Sequence, residues 1–147
     1  MKLALIRHGQ AEAHPVDELR KLTKLGIEQA QSTGKFLKDQ SFRATELVHS
    51  PLVRAEQTCL LVQKELDTSL PLSVNGELKP LSPLSFWLNE LEEKKHNLIL
   101  VGHNPFMSLL AQELCGSPQG FPTGGCIIFE KAESTSHWKI LASNFSN

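Results

Sequence analysis

The sequence predicts an α/β fold, a single three-layer domain over residues 1–147 with a mostly parallel central sheet, helices on both faces and a C-terminal antiparallel strand pair. Three observations carry this. Two short uninterrupted apolar runs, residues 3–6 and 98–101, have the pattern of strands buried on both faces. Segments with apolar residues at helical spacing alternate with the strand-like ones, as crossover helices of a parallel sheet do. Finally, two short apolar segments close the chain after a turn-rich stretch.

The elements follow in order. Leu3-Ala4-Leu5-Ile6 is the first strand, and a polar loop with His14-Pro15 runs from Arg7 to about Lys21. Thr23 is placed to cap a helix reaching about Asp39, with Ile27, Ala30, Gly34 and Leu37 facing the core. Residues 46–48 read as the second strand. Ser50-Pro51 then reads as an N-cap followed by proline at the first helical position, with Ala55, Cys59, Val62 and Leu66 as the buried stripe. Residues 72–74 form a strand end, 75–83 are irregular and a helix covers about 84–95. The second buried strand, 97–101, precedes Asn104-Pro105, which repeats the cap-then-proline start for a helix with Phe106, Leu109, Leu110 and Leu114 on its apolar face. Residues 126–129 and 138–142 make the closing antiparallel pair.

The chain of 147 residues is 40% hydrophobic and 21% charged, as expected of one globular domain. Its formal net charge of −1 offers no global attraction for nucleic acid or an acidic membrane, so any affinity for an anion is local. No stretch approaches the roughly 20 apolar residues of a membrane span. The N-terminal apolar run is too short for a signal-peptide core, which predicts a cytoplasmic protein. Cys59, Cys115 and Cys126 are odd in number and far apart, so they read as reduced, buried thiols. Neither H-E-x-x-H nor a close His/Asp cluster is present, and no metal or other cofactor is expected.

The chemistry gathers at strand ends. Arg7-His8-Gly9 begins where the first strand stops, Ser50-Pro51-Leu52-Val53-Arg54 follows the second, and Gly102-His103-Asn104-Pro105 ends the later buried one. Parallel α/β sheets bind ligands outside the carboxyl ends of their strands. Two arginines and two histidines thereby meet at one edge, beside two helix starts whose N–H groups and dipoles favour anions. Arginine's planar fork suits phosphoryl oxygens. A neutral imidazole is a good nucleophile toward phosphorus, and the surrounding positive charge would stabilise the transferring group.

These segments resemble the histidine phosphatase superfamily, also called phosphoglycerate mutase-like. Arg7-His8-Gly9 matches its hallmark tripeptide, residues 50–58 match Ser-Pro-x-x-Arg-Ala-x-Gln-Thr, and residues 102–105 match Gly-His-Asn-Pro. Leu22-Thr23-x-x-Gly26 with Gln29-Ala30 is also typical. The resemblance implies that His8 is the phosphorylated nucleophile and that Arg7, Arg54 and His103 clamp the phosphate. It makes Glu77, in Gly76-Glu77-Leu78, the candidate acid, the alternative being that Glu77 only caps or pairs with a neighbour. Its size and wording are most similar to the SixA-type phosphohistidine phosphatases, which implies a phosphohistidine-bearing protein as substrate and an open pocket, with the chain expected to be a monomer. A small-molecule phosphomonoesterase and a catalytically silent phosphate-binding module are the rivals. Ser50 and Gln10 are further candidates for phosphate contacts, and His49 and His14 could face the pocket. His96 and His137 read as surface residues and Trp87 as core.

Overall fold

Strands buried on both faces need an apolar side chain at every position, and two segments meet that demand at the centre of the sheet. In the computed structural model, which describes residues 1–132 and 137–145, Lys2–Arg7 (β1) pairs in parallel with Leu98–Gly102 (β4), from Leu3 opposite Leu98 to Arg7 opposite Gly102. Residues 3–6 and 98–101 are all buried. Glu46–His49 (β2) and the short Leu72–Val74 (β3) extend the parallel half. Cys126–Lys131 (β5) and Trp138–Asn144 (β6) add the antiparallel half, giving the order β3-β2-β4-β1-β5-β6.

The period-two alternation of the strands divides the core in two. Leu3, Leu5, Leu98 and Leu100 pack with Trp87 and Leu91 of Ser85–Glu93 (α3) and with Phe106, Met107 and Leu110 of Phe106–Cys115 (α4). Ala4, Ile6, Ile99 and Val101 pack with Leu37 of Lys24–Asp39 (α1) and with Ala55, Cys59 and Val62 of Val53–Glu65 (α2). This is the expected three-layer α/β arrangement. Among the described residues no helix is long and apolar enough to cross a membrane.

Several details correct the sequence reading. Thr23 does cap α1, accepting from the Gly26 N–H at 3.0 Å, but Ile27 is 39% exposed. The buried stripe is Gly26, Gln29, Ala30, Thr33, Gly34 and Leu37; Gln29 and Thr33 bond the Gln10 N–H and the Gly124 carbonyl, and Gly34 lies against Glu65 of α2. The helices expected to start at Pro51 and Pro105 begin later, at Val53 and Phe106, and neither has a side-chain N-cap. On α4 Leu109 is 48% exposed, with Met107 and Ala111 buried in its place. Cys115 is only partly buried; all three cysteines are free.

Candidate active site

β2, β4 and β1 are neighbours and parallel, so their carboxyl ends lie side by side on one edge. The order across that edge is His49-Ser50, then Gly102-His103, then Arg7-His8. Backbone bonds fix these tips against each other: His8 N–H donates to the Gly102 carbonyl at 3.0 Å and Ser50 N–H to the Val101 carbonyl at 3.1 Å. On the far side Gly124 N–H is shared between the carbonyls of Arg7 and His8, at 3.0 and 2.9 Å. The β1 tip is held from both flanks.

The His8 ring is oriented locally. Its Nδ1 lies 2.6 Å from the Gly9 carbonyl oxygen, which can only accept, so Nδ1 carries the proton and Nε2 keeps a lone pair. Gly9 N–H donates to Thr58 Oγ1 at 3.0 Å, and that hydroxyl donates to the Arg54 carbonyl at 2.8 Å. The loop that carries His8 and the first turn of α2 are therefore tied through one buried threonine.

A second chain of bonds fixes His103. Leu52 N–H donates to Ser50 Oγ at 3.2 Å, and Ser50 Oγ lies 2.5 Å from His103 Nε2. With Ser50 as the donor in that contact, Nε2 accepts and the ring proton sits on Nδ1. His103 Nδ1, Arg7 Nε and Arg54 Nε are buried and have no hydrogen-bond partner among the described residues, as is also true of Trp87 Nε1 in the core. A buried donor without a partner costs about 1–3 kcal/mol, and the first three, unlike Trp87, stand together at the strand tips where a ligand could meet them. The His8 and His103 ring centroids are 4.9 Å apart.

The arginines are held from behind. Arg7 Nη1 donates to the Phe121 carbonyl at 2.8 Å, and Asn104 Nδ2 shares that oxygen at 3.2 Å. Burial lowers the Arg7 pKa from its very high ordinary value. Burial also pushes the His8 pKa down to about 4, with Arg54, Arg7 and Arg20 adding to the depression against the Gly9 hydrogen bond. His103 falls to about 3, from burial first, then from its neighbour His8 and from Arg54. Both rings are neutral near pH 7. Burial pushes Cys59 up to about 12 and Cys126 up as well, so neither is a thiolate near neutral pH. Among the described residues no group of three His, Cys, Asp or Glu side chains could hold a metal ion.

The remaining expected residues fall at different depths. Ser50 is fully buried behind His103, which it orients. Gln10 is exposed and its side-chain oxygen accepts from Thr23 Oγ1 at 2.9 Å, at the start of α1. Glu77 sits in a 3-10 turn, Gly76–Leu78, whose Leu78 carbonyl packs against Gly102 at the tip of β4. Its backbone N–H donates to Asn75 Oδ1, and its carboxylate has no partner among the described residues. His49 is buried, with Nδ1 donating to the Ser50 carbonyl at 2.7 Å, and His14 is exposed in its loop. Trp87 is core and His96 exposed, as expected. The sequence reading missed Asp17, Arg20 and the Phe121 carbonyl. It also gave Thr58 no role in the site. Thr58 stood in a recognised motif, but nothing in the sequence pairs Asp17 with Arg54.

Comparison with known proteins bears on this arrangement. The family model "Histidine phosphatase superfamily (branch 1)" matches residues 3–82. The phosphohistidine phosphatase SixA of Escherichia coli is 28% identical, with 98% of this chain and 96% of that one aligned. A Caenorhabditis elegans mitochondrial serine/threonine-protein phosphatase, Pgam5, is 41% identical across 54% of this chain and 29% of its own. A solved structure of the protein histidine phosphatase SixA complexed with tungstate superposes with a TM-score of 0.89 at 26% identity, covering 97% of this chain and 96% of that one.

Proposed function

This chain belongs to the histidine phosphatase superfamily, and from that premise we propose that it is a phosphohistidine phosphatase acting on a protein, with His8 as the group that takes up the phosphoryl. The observation that carries the proposal is the His8 ring itself: neutral, with Nδ1–H donating to the Gly9 carbonyl and Nε2 left as the nucleophile. In the first step the His8 Nε2 lone pair forms a bond to phosphorus as the bond from phosphorus to the substrate's imidazole nitrogen breaks. The bonding pair returns to that nitrogen, and the imidazole leaves neutral when its other nitrogen already carries a proton. The positive charge that grows on His8 is met by the Nδ1–H bond to Gly9.

Arg7, Arg54 and the Nδ1–H of His103 face the phosphoryl oxygens and stabilise the charge spread over them. Water then bonds to the phosphorus as the P–Nε2 bond breaks, the pair returns to Nε2 to restore the neutral ring, and inorganic phosphate leaves with the water's protons. The likeness to SixA along nearly the whole chain supports the phosphohistidine branch. All the groups named belong to one chain, so a monomer of one domain suffices. Three free thiols suit a reducing compartment such as the cytoplasm.

The test is phosphate release from a histidine-phosphorylated phosphotransfer domain. Wild-type protein should release phosphate without added metal, and His8→Ala should abolish release while retaining part of the affinity for inorganic phosphate. Near-wild-type release by His8→Ala would sink the assignment of the nucleophile. Release only from small phosphoesters would move the substrate to that class, and binding without any turnover would leave a silent module.

A further inference from the structure

The loop joining β1 to α1 reaches into the site. It is stapled at its base: Ala11 bridges Leu22, Glu12 N–H donates to the Lys21 carbonyl at 2.8 Å, and Leu22 N–H donates to Gln57 Oε1 of α2 at 2.8 Å. Between these staples a 3-10 turn, Asp17–Leu19, brings Asp17 onto Arg54. Arg54 Nη1 donates to the Asp17 carbonyl at 2.9 Å, and Nη2 donates to Asp17 Oδ2 at 3.2 Å. The other carboxylate oxygen, Oδ1, accepts from Arg20 Nη1 at 3.3 Å.

The two partners are unequally placed. The Arg54 side chain is 5% exposed and fixed on the first turn of α2, whereas that of Asp17 is 59% exposed. A carboxylate presents to a guanidinium the same anionic oxygens as a phosphoryl group. Both anions cannot use the same edge of Arg54, and two negative groups so close repel. Arg20 is anchored independently of Asp17, its Nε donating to the Glu12 carbonyl at 2.8 Å and Nη2 to the Ala11 carbonyl at 3.4 Å. It remains in place to hold a carboxylate that has left Arg54.

We propose that Asp17 is a built-in ligand of the phosphoryl site. Asp17 occupies Arg54 until a phosphoryl group takes that arginine, and its carboxylate then stays with Arg20 while residues 13–19 shift on the stapled base. The inference rests on the reading of Arg54 as a phosphoryl-binding residue. A ligand that must first displace Asp17 binds with its intrinsic affinity reduced by the fraction of molecules in which Arg54 is free.

Binding of inorganic phosphate by calorimetry tests this without turnover. Asp17→Asn should tighten the Kd by about tenfold, the value for Asp17 holding Arg54 about nine-tenths of the time. Glu18→Gln removes the same charge from the same exposed turn without touching Arg54, and should leave the Kd within about twofold. Unchanged or weaker binding by Asp17→Asn would overturn the proposal and make Asp17 a mere support for Arg54, leaving the phosphatase reading intact. Equal tightening by Glu18→Gln would reduce the effect to general charge and overturn it too. Absence of phosphate binding by every form would overturn both this proposal and the phosphate pocket beneath it.

Discussion

One hydroxyl decides what His103 can offer. Ser50 Oγ takes the Leu52 N–H and lies 2.5 Å from His103 Nε2, which fixes the ring with Nδ1 turned away from the serine. Sequence motifs named both residues but not this relation, because a tautomer depends on how a ring is rotated among its neighbours. Arg7, His8, Arg54 and His103 were legible for a different reason: each stands at or just beyond a strand end, and strand ends are visible as breaks in apolar runs. The pairing of Arg54 with Asp17, 37 positions apart, leaves no such trace. Glu77 is the residue whose role sequence and geometry leave to experiment. Its carboxylate, in the turn against the β4 tip, is our candidate for protonating a poor leaving group. Glu77→Gln should slow hydrolysis of alkyl phosphates by about a hundredfold or more while changing phosphohistidine hydrolysis little. Equal losses on both substrates, or none on either, would remove Glu77 from the chemistry.

Among the elements, α1 owes its position to two glycines set back to back. A Cβ added to Gly9 would strike the Gly26 carbonyl oxygen, and one added to Gly26 would strike the Gln10 carbonyl oxygen. The nucleophile loop and the first turn of α1 are in backbone contact, which no side chain permits. Gly26→Ala must push the helix or the loop aside. We expect kcat/KM to fall about ten- to a hundredfold through misplacement of His8, with a stability loss of about 1–3 kcal/mol. Turnover kinetics on the purified variant would contradict this if activity stayed at the wild-type level. Further along, Gly34 lies against Glu65 Cβ, 2.5 Å from where its own Cβ would stand, and so lets α1 approach α2 closely. Gly34 is on the buried face, as its helical spacing predicts, but Ile27 is not its neighbour there. Hydropathy favours Ile27 as a core residue, yet the buried places belong to Gln29 and Thr33, whose side chains bond the Gln10 N–H and the Gly124 carbonyl, and such polar contacts are invisible to a hydrophobic pattern.

At the scale of the whole molecule, the two depressed histidines tie stability to pH. Each has a folded pKa, about 4 for His8 and about 3 for His103, below the ordinary 6.5. The unfolded chain therefore binds more protons between those values, and stability is fully present above about pH 6.5 and lost as pH falls toward the folded values. Urea unfolding should show wild-type protein losing about 5 kcal/mol more than a His8→Asn/His103→Asn double variant between pH 7 and about 4.5. Parallel losses in the two proteins would show that these rings are not the source. The sheet itself was readable in outline from apolar runs, although the order of its strands was not, since pairing is set by long-range contacts that local sequence does not encode. That order has a consequence for how the protein is made. The strand that leads into His8 is made well before either of its partners, β4 and β5, which lie about 90 residues or more further along the chain. Its apolar residues have no strand to pair with until about residue 102 has been synthesised, so His8 stays unseated while the segments between are made.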